Sequence, residues 1–419
     1  MKLSIDPVIA SRIRTAWEKL TPDQQSRVMP LIVKAHQRAV VASHYKQAPP
    51  ADSSLGNALT LAFTAIKSDR ERVLSNLEVG VVIAADGSGE IWGTGKYEQL
   101  DPGWLLAGAE WLEHLALGGN HPFNTSPVTC KIPNDVQIGL AGDWATGEWR
   151  TPANPSPSTD VLKHMAFLQP DLTIHLGDTY YAGTEDEEEH LLTKLWSKSR
   201  PKGSIGSLAL NSNHEMYSGG DAYFKAINKP PFEIQKGCSY FALENDDWVI
   251  VGLDSAYYSD VDALYLDGAL FRAGGPQAQL NFLKDQAEKG KKMIILTHHN
   301  AITQDGASKT NLWAQVMSAF PANVAPNYWY WGHVHCGACY KPGNNGSAEV
   351  LCRCCGHGGL PCAEASDMKE KPNVVWYEKR LANDPEIPSR VLNGFAMLYL
   401  QGPEIDEVFY DEDGGVAWP

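Results

Sequence analysis

The chain has 419 residues, 43% of them hydrophobic, which is enough for one large domain with an attachment or for two domains. Its formal net charge of -15 opposes nonspecific binding to nucleic acids and to anionic membranes, and it holds no apolar run long enough to span a bilayer. Met1–Ile5 leads into a polar helical pattern rather than an apolar leader, so we expect a cytoplasmic protein whose eight cysteines are reduced thiols.

Residues 1–128 are predicted to form a mostly helical region with one β-hairpin. Helices are expected to begin at Asp6-Pro7, at the capping box Thr21–Gln24, near Leu55 and at Asp101-Pro102. The third should end near Asn76, and strands at Val79–Ala84 and Glu90–Trp92 should form the hairpin. This region contains no recognisable chemical motif. Packing against the rest of the chain is therefore favoured as its role over dimerisation or a substrate lid.

Residues 129–419 contain five short apolar runs that predict buried β-strands. The runs are Val136–Ala141, Leu172–Leu176, Ser207–Leu210, Met293–Leu296 and Tyr328–Trp331. Helical or loop segments of crossover length separate most of them, which predicts an α/β fold. In such sheets ligands bind at the carboxyl ends of the strands.

Polar side chains follow each of these five runs. They are Asp143, Asp178, Asn213 with His214, His298, and the pair His333 and His335. Carboxylate, amide and imidazole groups that meet at one edge of a sheet suit two adjacent divalent or trivalent cations. The sequence therefore predicts a binuclear metal site.

The order of these motifs resembles the calcineurin-like metallophosphoesterase superfamily. The matching blocks are Gly142-Asp143, Gly177-Asp178, Asn213-His214, His298-His299 and Gly332-His333-Val334-His335. Each block is weak alone, but five in order after predicted strands form a strong signal. The resemblance implies a four-layer α/β/β/α sandwich over residues 129–419, with the N-terminal helical region attached. It also implies hydrolysis of phosphomonoesters or phosphodiesters.

The resemblance assigns a role to each polar residue. Asp143 and His335 would bind the first metal, Asp178 would bridge both, and Asn213, His298 and His333 would bind the second. His214 would face the substrate and assist attack by a metal-bound hydroxide. The expected partner is a small phosphate-ester substrate.

The first block departs from the common pattern of the superfamily. Ala145 stands where most members have a metal-binding His, so the first metal needs another ligand. Tyr181 lies three residues after Asp178, a spacing that resembles the purple acid phosphatase branch. The resemblance implies Fe(III) bound by the Tyr181 phenolate, with Fe(II), Zn or Mn at the second site. In the alternative interpretation, Tyr181 packs against a strand end and the first site is poorer.

Three further stretches each leave a functional and a structural interpretation open. Arg353 and His357 flank a Gly-containing turn and could hold phosphate oxygens, or the turn could be ordinary. The cysteines between residues 336 and 362 could bind zinc, but their irregular spacing favours buried thiols behind the site. The acidic run Glu185–Glu189 is interpreted as the solvated start of a helix.

Two other functions are weighed against hydrolysis of small esters. A binding scaffold would keep the fold without catalysis, but such a protein usually lacks the His beside the Asn, and His214 is present. A metal-dependent nuclease would use the same metals, although the acidic net charge argues against it.

Overall fold

The computed structural model describes residues 7–32, 84–93, 95–99, 101–199 and 205–419. The N-terminal region contains α1 (Pro7–Lys19), α2 (residues 22–32), a hairpin of β1 (Ala84–Ala85) and β2 (Ile91–Trp92), and α3 (Trp104–Leu117). The predicted capping box is confirmed, because Thr21 N donates to Gln24 Oε1 at 2.8 Å and Gln24 N to Thr21 Oγ1 at 3.3 Å. The predicted helix from Leu55 to Asn76 lies outside the described residues.

One large sheet has six strands in the order β17-β16-β15-β4-β5-β6. The strands are β4 (Asp135–Ala141), β5 (Leu172–His175), β6 (Gly206–Ala209), β15 (Gly394–Gln401), β16 (Glu404–Asp411) and β17 (Val416–Trp418). The three strands β4, β5 and β6 are parallel, so their carboxyl ends share one edge.

The second large sheet has nine strands, in the order β14-β11-β13-β10-β9-β8-β7-β3, with β12 paired to β13. The strands are β3 (Val128–Lys131), β7 (Phe241–Glu244), β8 (Trp248–Gly252), β9 (Lys292–Thr297), β10 (Tyr328–Trp331), β11 (Gly337–Tyr340), β12 (Gly343–Asn345), β13 (Ala348–Cys355) and β14 (Val374–Tyr377). The neighbours β8, β9, β10 and β13 are parallel. All five strands predicted from apolar runs are therefore confirmed.

The helices of this part of the chain connect or cover the strands. They are α4 (Pro157–Phe167), α5 (Glu185–Glu187, π-helical Glu188–Thr193 and Lys194–Trp196), α6 (Asn213–Met216), α7 (Asp221–Ala226), α8 (Ala278–Ala287) and α9 (Asn311–Met317). Short 3₁₀ turns occur at Ser197–Ser199, Glu233–Gln235, Val261–Ala263 and Ser366–Met368. Every helix in the described ranges is too short or too polar to cross a bilayer.

The two sheets pack face to face, and helices cover both outer faces. Ile138 and Leu140 of β4 share the inter-sheet core with Ile250 of β8 and Leu296 of β9. On one outer face, α4 packs against β4 and β15; on the other, α8 and α9 pack against β8, β9 and β10. The alternation of side chains along each strand produces these separate cores. The predicted four-layer α/β/β/α sandwich is confirmed.

The N-terminal helices pack on loops that follow β5 and β6. Trp104 and Trp111 of α3 share a buried cluster with α1 and α2. The same cluster includes Tyr181 after β5 and Tyr217 after β6. The described helices of this region therefore pack against the rest of the chain, as the favoured interpretation expects.

The acidic run at the start of α5 is only partly solvated. Thr184 caps the helix, and Glu187 completes a capping box with it. Glu187 is 7% exposed and accepts hydrogen bonds from Ala182 N and Thr184 N. Glu188 is 2% exposed. The prediction of a helix start is confirmed. The prediction that the run is solvated is wrong for Glu187 and Glu188, because Glu187 caps the helix end and both side chains face the core.

Candidate metal centre

The predicted metal ligands follow the carboxyl ends of β4, β5, β6, β9 and β10 in tight turns. Asp143, Asp178 and His333 adopt left-handed backbone conformations, with φ of 55°, 76° and 65°. Such conformations cost energy for residues with a Cβ and are concentrated at functional sites. The turns aim side chains from both sheets into one space.

Glycines before two of these residues allow other side chains of the site to lie close to the backbone. A Cβ on Gly332 would lie 2.6 Å from Asp143 Oδ2, and one on Gly177 would lie 2.7 Å from His298 Nδ1. The Gly-Asp and Gly-His pairs of the sequence motifs therefore have a steric cause.

Four side chains form a first donor group. Tyr180 Oη lies 2.9 Å from Asp178 Oδ2, 3.3 Å from Asp143 Oδ1 and 3.2 Å from His335 Nε2. His335 Nε2 lies 3.3 Å from Asp143 Oδ1. The other oxygen of Asp143 accepts a hydrogen bond from His333 N at 2.8 Å, which leaves Oδ1 toward the group. Two carboxylates, a phenol and an imidazole are a ligand set that suits Fe(III) or another hard cation.

The tyrosine of this group is Tyr180, not the predicted Tyr181. The hydroxyl of Tyr181 donates to Asp101, just before α3, and its ring packs beside Tyr97 and Trp104 at centroid distances of 4.9 and 4.8 Å. The structure therefore does not bring the Tyr181 hydroxyl to the predicted ligands. The sequence-based choice is corrected because the chain turns after Asp178 so that the nearer tyrosine faces inward.

A second donor group shares Asp178 with the first. Asp178 Oδ1 lies 3.2 Å from His298 Nε2, which lies 2.9 Å from Asn213 Oδ1. Asn213 Nδ2 donates to Tyr217 Oη at 2.9 Å, and His298 Nδ1 contacts Leu176 O at 2.9 Å. These bonds turn the amide oxygen and Nε2 toward the group.

His333 completes this neighbourhood, with its ring centroid 5.1 Å from that of His298. His299 is also close enough to His298 and His333 to suggest a metal ligand. However, its Nδ1 lies 2.8 Å from Ser255 Oγ and its Nε2 lies 2.7 Å from Tyr265 O. Because both nitrogens are engaged away from the site, the geometry favours the predicted His298 over His299.

His214 lies beside both donor groups. Its Nδ1 lies 2.6 Å from Tyr181 O, so this nitrogen carries the hydrogen, and its Nε2 lies 3.8 Å from Asp178 Oδ2. The ring packs between those of Tyr180 and Tyr217, at centroid distances of 4.6 and 4.9 Å. Burial lowers the pKa of His214, although Asp178 opposes the shift. The ring is thus held with Nε2 toward the donor groups.

Ionisation of both buried aspartates would leave negative charge that the described residues only partly balance. Burial and the neighbouring Asp178 raise the pKa of Asp143 to about 8. Burial opposes ionisation of Asp178 as well, but His214 and His298 hold its pKa well below the ordinary value. The ion-pair partners found for both aspartates are histidines. Bound cations would balance this charge, so the residues fit a metal centre.

A cavity of about 420 Å³ opens onto the donor groups. It is lined by Ser88, Glu90, Gln99, Asp178, Asn213, His214, Tyr217, Leu266, Asn300, Thr303, Gln304, His333, Val334 and His335. None of these described lining residues is a lysine or an arginine.

The structure does not bring Arg353 and His357 to this cavity. The Arg353 side chain is 5% exposed, and its Nε donates to the two carboxylate oxygens of Glu407 at 3.0 and 2.9 Å. His357 is buried against Gly337 and Gly394. The prediction that these two residues bind phosphate oxygens is wrong in this structure, because one is committed to an internal ion pair and the other to the core.

All eight cysteines lie within the described residues, and none forms a disulfide. Those between residues 336 and 362 are buried. Five of them lie in or next to β11 and β13, and Cys362 lies in the loop that follows β13. Cys336 Sγ and Cys354 Sγ are 3.9 Å apart, and the Cys354 thiol donates to Val334 O at 3.2 Å. This placement matches the favoured interpretation of buried thiols behind the site.

Tyr180 and Glu90 are site residues that the sequence-based predictions missed. Tyr180 had a signal, because it adjoins Tyr181 in the same block, but residue spacing could not choose between them. Glu90, which lies 2.7 Å from His335 Nδ1, belongs to a hairpin without a motif.

Comparison with known proteins gives one family match. Residues 136–337 match the model of the calcineurin-like phosphoesterase family. No curated protein matches the sequence.

Solved structures with a similar fold have low sequence identity to this chain. A purple acid phosphatase from yellow lupin (Lupinus luteus) seeds is 14% identical, with a TM-score of 0.49. The alignment covers 68% of this chain and 53% of the phosphatase. This chain thus spans about half the length of that phosphatase. A dimetal phosphatase from Danio rerio is 14% identical, with a TM-score of 0.42, and the alignment covers 66% of this chain and 95% of that protein. An inner membrane complex anchor of Plasmodium is 12% identical, with a TM-score of 0.44, and the alignment covers 68% of this chain and 87% of that protein.

Proposed function

We propose that this chain is a hydrolase of phosphate esters that works with two metal ions, because residues 136–337 match the model of the calcineurin-like phosphoesterase family. One observation carries the proposal: two donor groups from both sheets meet at the ends of five strands and share Asp178. A single carboxylate with one oxygen toward each group is suited to bridging two cations roughly 3.5–4 Å apart.

The described residues suggest which side chains would hold each ion. Asp143, Asp178, Tyr180 and His335 would hold the first, and Asp178, Asn213, His298 and His333 the second. Phenolate and carboxylate oxygens favour Fe(III) at the first site, with Fe(II), Zn or Mn at the second. When bound, the two ions would supply Lewis-acid polarisation of phosphoryl oxygens and a water of lowered pKa.

His214 would act on the substrate through Nε2. Its Nδ1–H is held by Tyr181 O, so Nε2 is the atom that faces the substrate. Once Nε2 is protonated, it can donate to a phosphoryl oxygen or pass its proton to the leaving oxygen. The contacts with Tyr180 and Tyr217 keep the ring in place. The role assigned by resemblance is therefore consistent with the geometry.

The cavity supports a small ester as substrate. Its described lining carries amides, hydroxyls and the Glu90 carboxylate, without lysine or arginine to hold further phosphates. A nucleic acid or a nucleoside triphosphate would bring several extra negative charges to this wall. We therefore propose a phosphomonoester or phosphodiester with an uncharged leaving group.

A panel of nitrophenyl monoesters, nitrophenyl diesters and nucleotides, assayed on protein loaded with metal, would test the proposal. We expect His214→Ala to lower kcat by about 100- to 10,000-fold while metal content stays unchanged. His190→Ala, at an exposed histidine on α5, is the control and should keep full activity. A protein that binds two metals but hydrolyses nothing in the panel would favour the scaffold alternative. A steep fall of nuclease activity with salt would favour the nuclease.

A further inference from the structure

The N-terminal hairpin reaches the metal centre through one carboxylate. Glu90 Oε1 lies 2.7 Å from His335 Nδ1, although the two residues are 245 positions apart in the sequence. The other oxygen of Glu90 accepts a hydrogen bond from Gln99. The side chains of Glu90 and His335 are 19% and 17% exposed, so water competes little for this contact.

The turn that carries Glu90 is ordered by its own hydrogen bonds. Asp86 Oδ1 accepts from Ser88 N at 2.9 Å and from Glu90 N at 3.1 Å, while Asp86 Oδ2 accepts from Trp92 Nε1 at 3.2 Å. An aspartate that binds backbone amides two and four residues later fixes the turn. The position of Glu90 is therefore set before it contacts His335.

The same turn is held against the catalytic sheets by three backbone carbonyls. Gly87 O accepts from Asp367 N at 2.7 Å, Gly89 O from Ala363 N at 2.8 Å, and Ser88 O from Gln304 Nε2 at 2.8 Å. These contacts come from two separate loops. They tie the hairpin to a cavity-lining residue, Gln304, and to the loop that follows β13.

We propose that Glu90 is a positioning residue that sets the ring orientation of His335 and the nitrogen with which His335 binds the first metal. With the hydrogen on Nδ1 donated to Glu90, the Nε2 lone pair faces Asp143 and Tyr180. A carboxylate behind a metal-binding imidazole also makes the imidazole more basic. The inference rests on the proposed function and makes the N-terminal hairpin part of the catalytic unit.

Titration of the metal-free, full-length protein with Zn(II), followed by calorimetry, tests this role. We expect the wild type to bind two ions. Glu90→Ala should weaken one of the two sites by about 10- to 100-fold and leave the other unchanged. Glu90→Gln should be intermediate, because the amide oxygen can still accept from Nδ1 but carries no charge.

Glu113→Gln is the matched control. Glu113 is another carboxylate of the N-terminal region, and it pairs with Arg12 at 2.8 Å between α1 and α3, away from His335. The zinc affinities of the Glu113→Gln variant should equal those of the wild type. Thermal unfolding of each variant checks the fold, and Glu90→Gln keeps the test decisive if Glu90→Ala unfolds.

The outcomes separate this inference from the function on which it rests. Two zinc sites in the wild type, with affinities within two-fold of those values in both Glu90 variants, would overturn the positioning role alone. A wild type that binds no zinc would overturn the proposed metal centre and the positioning role together.

Discussion

Two adjacent tyrosines, Tyr180 and Tyr181, separate what residue spacing can predict from what it cannot. Spacing predicted a tyrosine among the ligands of the first metal, and the hydroxyl of Tyr180 does lie in the first donor group, hydrogen-bonded to Asp178. Which tyrosine it is depends on a turn of the backbone that spacing does not encode. Burial beside Asp178 and Asp143 raises the pKa of Tyr180 well above its ordinary value, so ionisation of this phenol would need a cation nearby.

Substitution of each tyrosine by phenylalanine separates the two assignments. In protein loaded with iron, we expect a visible phenolate-to-iron absorption band that disappears in Tyr180→Phe and remains in Tyr181→Phe. The reason is that the Tyr181 hydroxyl is bonded to Asp101 rather than to the donor groups. Absorption spectra of the two variants decide the question. Loss of the band only in Tyr181→Phe would restore the assignment made from sequence spacing.

Gly177→Ala should disrupt the second donor group. Gly177 has φ of +102°, and an added Cβ would lie 2.7 Å from His298 Nδ1, so the ring would have to move from its contact with Leu176 O. We expect weaker binding of one zinc ion and lower activity, measured by calorimetry and by nitrophenyl ester hydrolysis.

Gly119→Ala controls for backbone strain in that experiment. Gly119 has φ of +104°, but nothing lies within 4 Å of its added Cβ. Both variants should lose about 1–2 kcal/mol of stability from the left-handed conformation. Equal loss of zinc binding in the two variants would show that strain, and not the displaced His298, is responsible.

At the scale of elements, the strands were predictable because they are short, apolar and buried, and each ends at a polar motif. The runs that became β4, β5, β6, β9 and β10 all agree within one or two residues. The helix start at α5 was also predicted, but its exposure to solvent was not. A run of acidic residues suggests solvent, and the sequence holds no sign that Glu187 would instead satisfy the amides of Ala182 and Thr184.

The β1–β2 hairpin depends on Gln304 for part of its attachment. We expect Gln304→Ala to remove the bond to Ser88 O and to speed amide hydrogen exchange across residues 86–90. The loss of stability should be about 1 kcal/mol, as for one hydrogen bond. Hydrogen exchange measured by mass spectrometry tests this, with β4 as the internal reference. Unchanged exchange in the turn would mean that the contacts to Gly87 and Gly89 suffice.

At the scale of the molecule, a buried ion network joins the loop after β4 to the segment between β14 and β15. Asp384 lies 2.7 Å from Arg150 Nη1 and 2.7 Å from Arg390 Nε, and Arg390 Nη2 lies 2.6 Å from Glu412 Oε1. These side chains are at most 7% exposed. Burial would raise the pKa of Asp384, but hydrogen bonds from Arg150 and Arg390 lower it below the ordinary value.

Asp384→Asn should therefore destabilise the protein most at neutral pH. Removal of one member of a buried ion network costs about 3 kcal/mol, because the remaining charges stay buried. A lowered pKa in the folded state stabilises the protein above the unfolded pKa of about 3.9 and is lost as the pH falls through the folded value. The difference in the free energy of unfolding between variant and wild type should thus narrow below about pH 4. Denaturant unfolding at pH 7 and at low pH measures this difference. A difference that does not change with pH would contradict the stabilising role of the Asp384 charge.

The fold was predictable from sequence because its topology repeats one rule, a buried strand followed by a polar turn. The site was predictable as far as that rule extends, to Asp143, Asp178, Asn213, His298 and the His333 turn. Glu90 lay beyond it, since only tertiary packing brings a short hairpin to His335. Arg353 failed for a related reason, because its partner Glu407 lies on a strand of the other sheet.

The contact between Glu90 and His335 also bears on how the chain should be divided. A shortened protein starting at residue 129 would retain every motif through which its relatives are recognised. It would nevertheless leave one imidazole unsupported and one side of the cavity open to solvent. A truncation that removes residues 1–128 is therefore expected to keep all five motifs and to bind metal at the first site more weakly than the full-length chain does.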